Sequence, residues 1–120
     1  MDDITRALKD HWEWRTRLQK AIVDGTSDLT PREAAATDKC DLGSWLATGV
    51  RPELRQTLIY QEVVEHHREF HHGAARVLQL ALAGDQDQAR AEMKRDSAFG
   101  RSSTNLAEAL RRWRREGADW

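Results

Sequence analysis

Apolar side chains recur at every third or fourth position along most of this chain, a rhythm that suits helices and little else. In the first segment Ile4, Leu8, His11, Trp14, Leu18 and Ile22 share one stripe, down a helix of roughly five turns. Gly25 and the polar stretch to Asp28 end it. Thr30, Pro31 and Glu33 then supply an N-cap, a first-turn proline and a capping-box partner, which predicts a second helix from about Pro31 to Leu46. Gly49 and Pro52 mark the next break. A long third helix follows, from about Pro52 to Ala83, with Tyr60, Val64, His67, His71, Ala74 and Leu78 on one row and Ile59, Val63, Phe70 and Val77 on the next. Two adjacent apolar rows exceed what one partner helix needs, which suits a central position or a subunit contact. Gly84 is placed as a C-terminal cap, and Asp85 with Gln88 opens a fourth helix that runs to about Arg115. Its basic end suits the negative pole of a helix dipole.

Four helices with short connections predict an all-α antiparallel four-helix bundle. Only two prolines and one tyrosine interrupt a composition rich in strong helix formers. At 120 residues the chain is expected to be a single domain, residues 1–120, with a core of its own. Nineteen Lys and Arg against twenty Asp and Glu leave a net charge of −1, so no global field draws it to nucleic acid or an anionic membrane. No apolar run approaches the roughly 20 residues of a membrane-spanning helix, and the acidic start does not resemble a secretory signal. A cytoplasmic location is therefore expected. The single cysteine, Cys40, cannot form an intramolecular disulfide and is either packing or a ligand.

His67 and His71, four apart on a helix, point the same way about one turn apart, the spacing that grips one metal ion. His66 and His72 flank them on other faces. His11 falls within the apolar stripe of a different helix, where a neutral imidazole needs a buried hydrogen-bond partner. Each residue alone has a plain structural alternative: a core histidine bonded to a carbonyl, or a cysteine acting as a small buried hydrophobe. Together they are one Cys and three His on three helices that a bundle brings face to face, the donor set of tetrahedral zinc.

The run His11-x-x-Trp14, then Cys40-Asp41-Leu42-Gly43-Ser44-Trp45, then His67-Arg68-Glu69-Phe70-His71, resembles the signature of the chemoreceptor zinc-binding (CZB) domain. The stretches ALAGDQDQARAEM and SSTNLAEAL resemble that family's last helix and the turn before it, so the likeness spans essentially the whole chain. The resemblance implies that His11, Cys40, His67 and His71 hold one Zn²⁺ in a helical domain that forms homodimers. It also implies a sensory or regulatory module signalling to a chemoreceptor or a diguanylate cyclase. No such output domain is attached here, so the expectation is an excised or free-standing version, or one acting on a separate partner.

Four protein ligands leave no open position for substrate, which favours sensing over catalysis; the expectation is that the domain is not an enzyme. Oxidation of the Cys40 thiolate would weaken the softest ligand, so occupancy could report oxidant as well as zinc, and acid acts in the same direction. Gly43 is expected to admit a neighbouring helix close to the ligands, or alternatively to mark a helix break. Trp45 is expected to pack the surroundings. Asp41 and Glu69 are candidate acceptors for imidazole N–H groups. The alternative functions are a DinB-like metal enzyme with an open three-histidine site, a haemerythrin-like di-iron carrier, which would need more inward carboxylates, and a metal-free helical adaptor.

Overall fold

The computed structural model describes residues 3–38 and 40–116; the ends of the expected 1–120 domain, at 1–2 and 117–120, lie outside the described residues. The described residues form six α-helices and no strand: α1 Asp3–Asp24, α2 Pro31–Ala35, α3 Asp41–Ser44, α4 Leu58–Leu82, α5 Gln86–Glu92 and α6 Ala98–Arg115. A π-helical turn, Trp45–Gly49, and a 3₁₀ turn, Pro52–Gln56, lie between α3 and α4.

The fold is all-α, but three of the four predicted helices are cut differently from the expectation. The predicted second helix is two short pieces. α2 carries the full Thr30/Glu33 capping box, then stops at Ala36, whose backbone is extended. Cys40 is also extended, at φ −103 and ψ 161, and its side chain caps α3 by accepting from the Gly43 amide. What approaches Gly43 is the chain itself: a Cβ there would lie 1.6 Å from the Thr37 carbonyl oxygen and 3.1 Å from the His67 ring. The glycine thus permits both a tight return of its own loop and the close approach of α4.

The predicted third helix begins late, because Pro52–Gln56 winds as 3₁₀ and Thr57, extended at ψ 150, caps α4 at the Tyr60 amide. It ends as expected, with Gly84 at φ +79. The predicted fourth helix opens at Asp85 as expected but breaks after Glu92, and Ser97 starts α6 by accepting from the Gly100 amide.

α4 is the central element, packing against α1, α2, α5 and α6. That accounts for its two apolar rows, of which Val63, Phe70, Ala74, Val77 and Leu78 are buried. Phe70 stacks on Phe99 of α6 at 5.2 Å between centroids, and burial of such large rings supplies much of the driving force for packing. The middle of α4, between α1, α2 and the start of α3, is where the polar residues of interest collect.

Candidate metal centre

α4 presents His67 and His71 on its buried face, 4% and 1% exposed. Their rings meet edge to face at 4.5 Å between centroids. Cys40 reaches the same point from the loop before α3. Its Sγ lies 3.1 Å from His67 Nε2 and 3.4 Å from His71 Nε2. The three candidate ligand atoms all lie within 4.8 Å of one another. Zinc with bonds of 2.0–2.3 Å to nitrogen and sulfur would hold tetrahedral donors about 3.5 Å apart, so this S/N/N triangle fits one such ion.

The surroundings prepare these atoms as donors. His71 Nδ1 donates to the Ala34 carbonyl of α2 at 2.9 Å, which fixes the proton on Nδ1 and leaves Nε2 as a lone pair facing Cys40. The Gly43 amide donates to Cys40 Sγ at 3.2 Å, a contact that favours the thiolate. Burial works against it. The Cys40 thiol is pushed up to about 11, by desolvation first and by the Asp10 and Asp41 carboxylates in addition, with the Gly43 and Leu42 amides opposing. At neutral pH the bare thiol therefore keeps its proton, and a cation would have to displace it. His67 is held down at about 3 by burial and then by His71 and His11. Burial also lowers His71, opposed by the Ala34 carbonyl. Both rings are neutral at pH 7, the form that binds metal.

His11 projects from α1 into the same place and is 3% exposed. It stacks on Phe70 at 4.5 Å, but it is not part of the close triangle of Cys40, His67 and His71. Its Nε2 lies 2.8 Å from Ser103 Oγ of α6. Its Nδ1 is buried and has no hydrogen-bond partner among the described residues. Desolvation, then Arg15, Arg111 and His71, lowers its pKa to about 4. A cavity of about 10 Å³ opens among Asp10, His11, Cys40, His67 and His71. That holds one ion or one water, not an organic substrate.

The other expectations divide. Trp45 packs against Trp113, at 5.2 Å, and it is Trp14 that sets its edge against His71, also at 5.2 Å. Asp41 and Glu69 do not hydrogen-bond the candidate ligands among the described residues; Glu69 faces His66 Nδ1 at 3.9 Å, and His72 is exposed. The groups that do hold the imidazoles, the Ala34 carbonyl and Ser103, were not singled out from sequence. A main-chain carbonyl leaves no trace in a residue pattern, and Ser103 lies 92 positions from His11.

Comparison with known proteins gives one family. The model of the chemoreceptor zinc-binding domain matches residues 11–78, which runs from His11 through Cys40 to beyond His71. Neither curated proteins nor solved structures give a significant match. The match covers more than half of the chain and contains all four candidate ligands and most of α4, the helix on which two of them stand, so this protein belongs to the chemoreceptor zinc-binding domain family.

Proposed function

We propose that this chain is a sensory or regulatory zinc domain, with one Zn²⁺ held by Cys40, His67, His71 and His11. The observation that carries the reading is the contact of Cys40 Sγ with both His67 and His71 Nε2, at 3.1 and 3.4 Å, in a family defined by zinc binding. His11 is the fourth ligand in this reading, supported by its place in the same cavity and by a buried Nδ1 without a partner among the described residues. A bound zinc would supply the positive charge that holds Cys40 as a thiolate despite its burial. Cys40 then becomes the oxidant-sensitive atom: its sulfur takes one oxygen from a peroxide and loses two electrons, the second oxygen leaving as hydroxide, and the sulfenic acid formed is a poorer ligand. Because Cys40 stands at the head of α3, losing its place among the α4 histidines would free the α3 segment from α4.

The same reading extends to the whole chain as one domain, a four-helix antiparallel bundle that pairs as a homodimer in the cytoplasm and signals to a chemoreceptor or diguanylate cyclase type of output. An open three-histidine enzyme of DinB type would gather His11 with His67 and His71 and leave Cys40 aside; the described residues group Cys40 with the two α4 histidines instead. The deciding experiment is metal analysis of untagged protein purified without added zinc, wild type against Cys40→Ala. One zinc per chain, lost or sharply weakened in the variant, supports the sensor. Absence of zinc, or equal binding by the variant, removes it.

A further inference from the structure

The polar contact behind His11 has no place in the ligand set. Ser103 is 5% exposed, on a helix outside the matched stretch of the family. Two side chains of α1 converge on its hydroxyl oxygen: His11 Nε2 at 2.8 Å and the Arg15 guanidinium, which donates at 3.2 Å. Arg15 is itself anchored, donating to the Met93 carbonyl at 3.3 Å and lying over the Phe99 ring. The oxygen is thus fixed by a charged donor one helical turn from His11.

We propose that Ser103, held by Arg15, is a positioning residue that keeps the His11 proton on Nε2 and so makes Nδ1 the ligand atom. The inference rests on the reading of His11 as the fourth ligand. With Nε2 committed to Ser103, the only ring nitrogen left is Nδ1, which is buried and unpartnered among the described residues. A proton there would be a sealed N–H with no acceptor, a rare and costly arrangement. A lone pair there is what a cation needs. The serine oxygen has two lone pairs, one for Arg15 and one for the Nε2–H. His71 is arranged in the opposite sense, with Nδ1–H given to Ala34 and Nε2 turned to Cys40. Two ligands of one site would therefore bind through different ring nitrogens, each chosen by the group behind it.

The test is zinc affinity, by chelator competition, in Ser103→Ala, Ser103→Thr, His11→Ala and the double variant Ser103→Ala/His11→Ala, with helical circular dichroism as a check on folding. Ser103→Ala should weaken zinc about 10- to 100-fold. Ser103→Thr, which keeps the hydroxyl, should recover most of that. In the His11→Ala background, removing Ser103 should change affinity by less than about twofold, since the serine acts only through the histidine. Nitrogen NMR of histidine-labelled, metal-loaded wild type should find His11 protonated on Nε2 and metal-bound at Nδ1. An equal loss from Ser103→Ala in both backgrounds, no loss in either, or metal on His11 Nε2 would overturn the proposal while leaving His11 a ligand. His11→Ala binding zinc as well as wild type would overturn the ligand reading itself, and the Ser103 proposal with it.

Discussion

His71 Nδ1 donates to the Ala34 carbonyl at 2.9 Å, a buried bond that ties the middle of α4 to α2. The same ring turns its other nitrogen to Cys40 at 3.4 Å. His71 therefore joins two segments whether or not a metal is present, whereas His67, with Nε2 3.1 Å from Cys40, shows no corresponding bond to α2 among the described residues.

This asymmetry predicts unequal costs in metal-free protein. His71→Leu strands the Ala34 carbonyl in the interior, and an unsatisfied buried acceptor costs about 1–3 kcal/mol. His67→Leu leaves no such orphan. Urea unfolding in the presence of a chelator should find His71→Leu the less stable of the two by about that amount, and equal midpoints would show that the bond contributes nothing to the fold.

Cys40 has two separable roles, since its Sγ caps α3 at the Gly43 amide as well as facing the histidines. Serine keeps a capping acceptor but is a poor zinc ligand at neutral pH; alanine loses both. In chelator, Cys40→Ala should be destabilised by about 0.5–2 kcal/mol and Cys40→Ser by much less. Both should lose most zinc affinity. If the two variants unfold together, the thiol is not an effective cap.

Gly43 admits no side chain, because a Cβ would sit 1.6 Å from the Thr37 carbonyl oxygen, a backbone atom that cannot move without dragging the loop. Gly43→Ala should cost about 1–3 kcal/mol or more. It should also displace Cys40, three residues earlier, so zinc affinity should fall alongside stability. Retained affinity in a folded Gly43→Ala protein would mean that the loop carries Cys40 independently of its return.

Much of the helical content and the His67/His71 pair could be read from residue spacing, because both are local, whereas Cys40 and His11 joined the candidate site through the zinc donor set and the family resemblance. His67 and His71 need only a helix to share a face, and Thr30, Asp85 and Gly84 mark ends by their own side-chain or backbone chemistry. The breaks at Thr57 and Ser97 were missed, and the one at Cys40 was foreseen only as the alternative reading of Gly43, for one reason. Apolar residues resume at helical spacing beyond each capping residue, and periodicity does not register that the helix restarts with a new axis. Ser97, with Gly100 three positions on, carried a legible signal in that capping pair. Ser103 did not, since its role depends on where α6 lies against α1, a long-range fact. The two acidic candidates for holding the imidazoles, Asp41 and Glu69, failed because adjacency in sequence on a helix turns a side chain away from its neighbour.

The depressed histidines and the raised thiol make opposite demands on pH, and zinc binding should separate them. His11 at about 4 and His67 at about 3 lose no protons when metal binds at neutral pH, because burial has already removed them. Cys40, at about 11, still carries its proton and must release it. The logarithm of zinc affinity should therefore rise with a slope of about one per pH unit across about pH 7–9, the signature of a single displaced proton, and His71, lowered by burial, can add at most one more below that range. Histidines with ordinary values near 6.5 would instead steepen the slope below that pH, toward three or four. The same shifts set the acid stability of the metal-free chain. The unfolded chain takes up protons on these imidazoles below about pH 6.5 while the folded chain refuses them until about 4 and 3. Their contribution is thus present above pH 6.5 and lost progressively as pH falls toward the folded values. Chelator competition at several pH values, with urea unfolding of stripped protein over the same range, measures both. A slope well above two at pH 6, with stability flat between pH 7 and 5, would show that His11 and His67 titrate freely and are not held neutral in the interior.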